Sequence, residues 1–235
     1  MIHEKQLAEI RNYLLTKKLP IDILLEVQDH FIAQISDLQR DEDIDFDAAF
    51  AQVKEKWRTE LMPYWKGEMN LEDTSDLVRK ITKEINRSNL KEALQWGWIP
   101  VIIIVASAYL MNATAFGIFA LSVLLALLLF TTVNYFRHYS AFKIFKKYPN
   151  HILTLHQHSV IIFFLVLGPF ISIFGNFFEN AEKIQHLLLF KGSMFQFLMM
   201  LLPFAIVSCS CFYSLSAQKS YLRQIEKVKP FLQYL

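Results

Sequence analysis

Three histidines fall within eight residues, at His151, His156 and His158. Imidazole nitrogens so close in sequence could bind a transition metal. No Cys or carboxylate stands near them to complete the set. The competing reading is an interfacial loop whose imidazoles sit among lipid headgroups. Asp41, Asp43, Asp45 and Asp47 alternate as the first ligands of a calcium loop do. The match then fails, because Phe46 stands where Gly is needed and Gln52 where a closing Glu is needed. A solvated linker that caps the next helix explains these acids better. The third set is Glu26, Asp29 and His30. Glu26 and His30 are four apart, so on a helix they share a face and could pair. That face is either simply solvated or a docking surface for a cytoplasmic partner, and His30 beside carboxylates would make it pH-sensitive. No phosphate-loop, serine-elbow or H-E-x-x-H pattern occurs, and six glycines leave little for phosphate loops. Neither an enzyme activity nor a cofactor is expected.

The elements that carry these residues divide sharply. Residues 1–92 hold 14 Lys/Arg and 19 Asp/Glu, a net −5, whereas residues 93–235 hold 10 and 3, a net +7. The acidic part lacks the basic footprint that nucleic-acid binding needs. Its first 30 residues are charged and amphipathic, so no secretory leader is expected. Leu7, Ile10 and Leu14 predict a helix over 4–17, with Lys17 and Lys18 in its last turn. Pro20 then opens a second helix over 21–39. Leu24, Val27, Phe31, Ile35 and Leu38 form its apolar face, and Asp22, Glu26, Asp29, His30 and Asp37 the other. Asp45 or Asp47 caps a third helix over 46–61, with Phe50, Val53, Trp57 and Leu61 as its stripe. A fourth, polar helix is expected over 71–92, its cations approaching the membrane.

The run Tyr13-Leu14, Leu19-Pro20, Ile23, Glu26, Asp29-His30-Phe31 and Ile35, then an acidic linker and Phe46-Asp47-Ala48-Ala49-Phe50 with Val53, resembles the small helical HAAS domain. Domains of that family precede transmembrane helices in bacterial membrane proteins, often those encoded beside PadR-type transcription regulators. The resemblance covers about residues 5–65. It departs after Val53, where Trp57-Arg58-Thr59-Glu60-Leu61-Met62-Pro63 replaces the usual Leu-Gly-x-Pro-like turn. It implies a regulatory or interaction role and carries over no active site.

Residues 93–136 contain no Asp, Glu, Lys or Arg over 44 positions, enough for two crossings of a hydrocarbon core about 30 Å thick. Met111-Asn112-Ala113-Thr114 marks the turn between them. Crossings are predicted over 96–111, 115–136, 159–178 and 194–215. The loop 137–158 carries four cations and no acid, and the tail after 215 is basic, so the positive-inside rule puts both termini in the cytoplasm. Residues 181–190 read either as a short helix on the outer surface or as an extension of a crossing. Two small-residue runs, Ala106-Ser107-Ala108 and Ser208-Cys209-Ser210-Cys211, suit close helix packing. Cys209 and Cys211 are two apart on different faces and should not pair.

The expected protein is all-α: a cytoplasmic helical domain (1–65), a polar helical connector (66–92), a bundle of four transmembrane helices in two hairpins (93–217) and a basic cytoplasmic tail (218–235). It would be a multi-pass protein of the bacterial inner membrane. Its head would bind a cytoplasmic protein, a transcription regulator among the candidates, with no direct contact to nucleic acid. The crossings contain no ionisable Asp, Glu, Lys or Arg, which argues against coupled transport. The alternatives are a permease-like subunit or small-molecule channel, formed as a homo-oligomer, and a lipid-acting membrane enzyme using the His151–His158 loop.

Overall fold

Apolar residues three and four apart make this chain helical almost throughout. The computed structural model describes residues 2–66 and 73–235. Eight α-helices follow one another among these residues: α1 Glu4–Leu15, α2 Ile21–Asp41, α3 Phe46–Leu61, α4 Asp76–Leu110, α5 Ala113–Arg137, α6 Tyr139–Phe142, α7 Leu167–Leu188 and α8 Met194–Val228. Short 3-10 helices cover Ile144–Lys147, Ser159–Val166 and Lys229–Tyr234. The described residues contain no strand, only an isolated antiparallel bridge between Tyr64 and Thr74. The chain divides into two compact units.

The first unit comprises Met1–Asn86, Lys143–Leu155 and Arg223–Leu235. Its core joins Ile10 and Leu14 of α1 to Leu24, Val27, Phe31 and Ile35 of α2 and to Phe50 and Val53 of α3, all buried. Tyr13 packs edge-on against Phe50, with ring centroids 5.8 Å apart, and Phe31 lies 5.7 Å from Trp57. All of these residues except Tyr13 lie on the helical stripes expected for them. Asp45 caps α3 by accepting the Ala48 amide at 2.8 Å, which decides between the two candidate caps. Two boundaries differ from expectation. α1 stops at Leu15 because Lys18 adopts a left-handed φ of 53°, and α2 continues to Asp41. The tail from 218, for which only a basic charge was expected, is largely helical: α8 runs on to Val228 and a 3-10 turn follows. Within this unit the Arg11 guanidinium lies 3.7 Å from the centre of the Tyr234 ring, and Phe231 is buried.

The second unit comprises Arg87–Phe142 and His156–Leu222. The expected connector and first crossing prove to be one continuous 35-residue helix, α4; Leu71, the first apolar position assigned to that connector, lies outside the described residues. Asn112 ends the turn between α4 and α5 by accepting the Ala115 amide at 2.9 Å. The segment predicted as the third crossing is not a plain helix. It begins as the 3-10 segment and passes into α7, which breaks at Asn180 (φ −136°, ψ 28°). The pieces Ser159–Gly175 and Asn180–Leu188 are bent 106° apart. Three helices are long and apolar enough to cross a membrane, and this bent pair makes a fourth if it forms one span. The inner faces pack into one core through Ile104, Phe116, Leu124, Phe163, Phe204 and Val207. Outward residues stay apolar, Leu165 at 77% exposure and Ile171 at 68%, a surface suited to lipid rather than water.

Small residues permit a close approach of α4 and α8. A Cβ on Gly97 would stand 2.6 Å from Cys209 Sγ and 3.0 Å from its Cα, and Ser208 Oγ donates to the Gly97 carbonyl at 2.7 Å. The run Ser208 to Cys211 thus does what its size suggested. Cys209 and Cys211 are both free thiols. The 3-10 segment leaves its backbone short of regular helical partners, and α8 supplies them. Ser214 Oγ accepts the Phe163 amide at 2.8 Å, and Gln218 Nε2 donates to the Val160 carbonyl at 3.1 Å. Gln218 is held in turn by Asn134 Nδ2 at 2.6 Å. Irregular backbone inside an apolar bundle needs such replacements.

Candidate functional site

A helix that follows proline starts with a problem. Pro20 sits at the N-cap of α2 and has no side-chain oxygen to receive the first amides. The loop of Lys143–Leu155, part of the same unit, solves it with its backbone. The Ile21 amide donates to the Ile152 carbonyl at 2.9 Å, and the Asp22 amide donates to the Leu153 carbonyl at 3.2 Å. Asp22 returns the contact. Its Oδ2 accepts the Leu155 amide at 3.1 Å, while Oδ1 accepts the Ile23 amide at 3.0 Å. Leu153 and Thr154 are fully buried beside it.

Asp22 is 7% exposed. Sequence reasoning put it on the solvated face of α2; the structure buries it under the loop. Loss of water pushes its carboxyl up to about 6, with Glu26 one turn on adding repulsion, against the pull of the Leu155 and Ile23 amides. The site therefore holds a carboxyl that titrates close to neutral pH at the joint between helix and loop. Its one readable signal was an acid in the first turn after Pro20, where the helix dipole favours negative charge.

The other sequence-predicted residues distribute as follows. Glu26, Asp29 and His30 are all exposed on α2. His30 lies against the Trp57 ring, centroids 6.2 Å apart and planes 27° apart, so its neighbour across the surface is an aromatic face of α3. Arg40 pairs with Asp37 at 2.9 Å and with Asp41 at 2.8 Å, which draws the first linker acid into a helix-end ion pair. His151 belongs to the first unit and is half-buried, whereas His156, buried, and exposed His158 belong to the second. Among the described residues no group of three or more His, Cys, Asp or Glu side chains is arranged to hold a metal ion, so the histidine spacing does not become a metal centre there.

Residues that sequence reasoning missed act on backbone rather than on a ligand. Of residues 181–190, read as a surface helix or an extension, those up to Leu188 belong to the second piece of α7, with Ile184 and Leu188 buried in the second unit's core. Gln185 on that piece donates through Nε2 to the carbonyls of Ala108 at 2.8 Å and Met111 at 2.7 Å, closing the C-terminal end of α4. No family model, no curated protein and no solved structure matches this chain.

Proposed function

We propose that this protein is a membrane-anchored interaction protein, whose acidic helical head engages a cytoplasmic protein through the exposed face of α2. The single observation that carries the reading is the seating of the Ile152–Leu155 backbone on the first turn of α2. That loop joins α5 to the third apolar segment in sequence, so the helix offering Glu26, Asp29 and His30 is tied to the connection between two membrane-crossing candidates. An anchor with no coupling would not need its head fastened to that loop. The basic 137–158 loop and tail favour a cytoplasmic head. The HAAS-like pattern of residues 5–65 favours a regulator as partner. Four crossings, the third broken, with both ends inside complete the reading.

Photo-crosslinking in cells tests it. A photoreactive residue placed in turn at positions 26, 29 and 30 of the full chain should trap the same protein from all three. Glu26→Lys with Asp29→Lys should abolish the adduct. Absence of any common adduct, together with solute flux in reconstituted vesicles, would instead support the permease-like alternative.

A further inference from the structure

Within the second unit, the break at Asn180 opens a cleft of about 410 Å³ between the two pieces of α7 and α8. That volume falls in the range of small-ligand sites. Its inner end is aromatic and buried: Phe177 and Phe204 meet edge to face, centroids 5.6 Å apart. Met199 and Met200 line the α8 side, and such unbranched side chains adapt to a flexible apolar chain. Among the described residues, Ser172, Asn180 and Lys183 are the polar ones that line it. Lys183 is the one charged side chain lining the cleft among the described residues, and it is exposed. Met199 and Pro203 both line the cleft, and Pro203 has no amide to give the Met199 carbonyl four residues earlier, so that oxygen lacks its helical donor.

The cleft thus combines buried aromatic rings, one exposed cation and, on its α8 wall, a carbonyl without its helical donor. We infer that it is a binding site for one anionic, hydroxyl-bearing phospholipid, with an acyl chain against Phe177 and Phe204 and the phosphate paired to Lys183. A zwitterionic choline head would set its own cation near Lys183 and bring no hydroxyl for the Met199 carbonyl. A free fatty acid has the anion but likewise lacks the hydroxyl. This inference rests on the bilayer placement proposed above.

Native mass spectrometry of the full chain tests it, with phosphatidylglycerol, phosphatidylcholine or oleate added to the detergent-solubilised protein. One phosphatidylglycerol should stay bound per chain, at least fivefold in excess of phosphatidylcholine. Lys183→Gln should remove that preference without changing retention of phosphatidylcholine. Met200→Trp, which fills the cleft, should lower retention of both; because Lys183 is exposed, Lys183→Gln decides the matter alone if the tryptophan variant does not fold. Equal retention of the two lipids by the unaltered protein overturns the site. So does undiminished phosphatidylglycerol on Lys183→Gln, or retention of oleate in its place. Alkaline extraction of membranes separates the two readings: a chain that resists extraction but shows no lipid preference defeats this site and leaves the bilayer placement standing.

Discussion

The Asp22 carboxylate accepts the amide of Leu155 at 3.1 Å, across 133 positions of sequence. One buried acid thereby fastens the start of α2 to a distant loop. Its ordinary value of 3.8 is raised to about 6 by burial. Because the folded value lies above the unfolded one, the folded head holds more protons between pH 4 and 6. Asp22 therefore contributes stability that is complete below pH 3.8 and lost as pH rises through about 6. Across that window the change amounts to roughly 3 kcal/mol, at about 1.4 kcal/mol per pH unit. Hydrogen exchange of peptides covering residues 150–156, corrected for intrinsic rate, should show protection falling with pH in the unaltered protein. In Asp22→Asn that dependence should flatten. An identical slope in the two proteins would assign the titration to another group.

The contact at Gly97 leaves no room for a side chain, since an added Cβ would lie 3.0 Å from the backbone of Cys209. Gly97→Ala should destabilise the second unit by about 1–3 kcal/mol, and Gly97→Val by more. Combining Gly97→Ala with Cys209→Ala should restore only part of the loss, because the clash with the Cys209 Cα remains. Thermal unfolding in detergent reads all three. A neutral Gly97→Ala would mean that α4 and α8 do not meet there.

Gln185 closes the end of α4 by donating to two carbonyls. Gln185→Ala should cost about 1–2 kcal/mol in the same unfolding assay. Gln185→Glu should cost more, because an ionised carboxylate has no proton to donate and would face two carbonyl oxygens. Should the glutamate variant prove as stable as the parent, the Ala108 and Met111 carbonyls do not depend on this side chain.

What the sequence made legible was local. Asn112 and Asp45 reach an amide three residues away; spacing showed a turn at the first and a cap at Asp45 or Asp47 at the second. The bounds of α3 follow from its cap and from Met62-Pro63. Long-range devices left no such trace. Asp22 resembles its exposed neighbours Glu26 and Asp29 in composition, and only the loop laid over it makes it different. Gln185 meets its partners 74 and 77 positions away. The break at Asn180 falls between the crossing predicted to end at 178 and the separate segment 181–190, where Glu179, Glu182 and Lys183 interrupt the apolar run, but nothing in that spacing showed a bend of 106°. The three histidines carried the opposite lesson: closeness in sequence put them on turns and helix ends of two units, without a shared centre among the described residues.

The 3-10 winding of Ser159–Val166 also bears on the reach of the third apolar segment. Before the bend, the third apolar segment has only Ser159–Gly175 with which to cross. Seventeen residues wound as an α-helix would extend about 25 Å, some 5 Å short of a hydrocarbon core about 30 Å thick. A 3-10 helix rises about 2.0 Å per residue instead of 1.5 Å. Eight residues wound that way lengthen the segment by about 4 Å, close to the shortfall. The narrower, more extended coil held by Ser214 and Gln218 would thus act as a spacer in a bilayer-spanning segment, adding reach without adding a single residue.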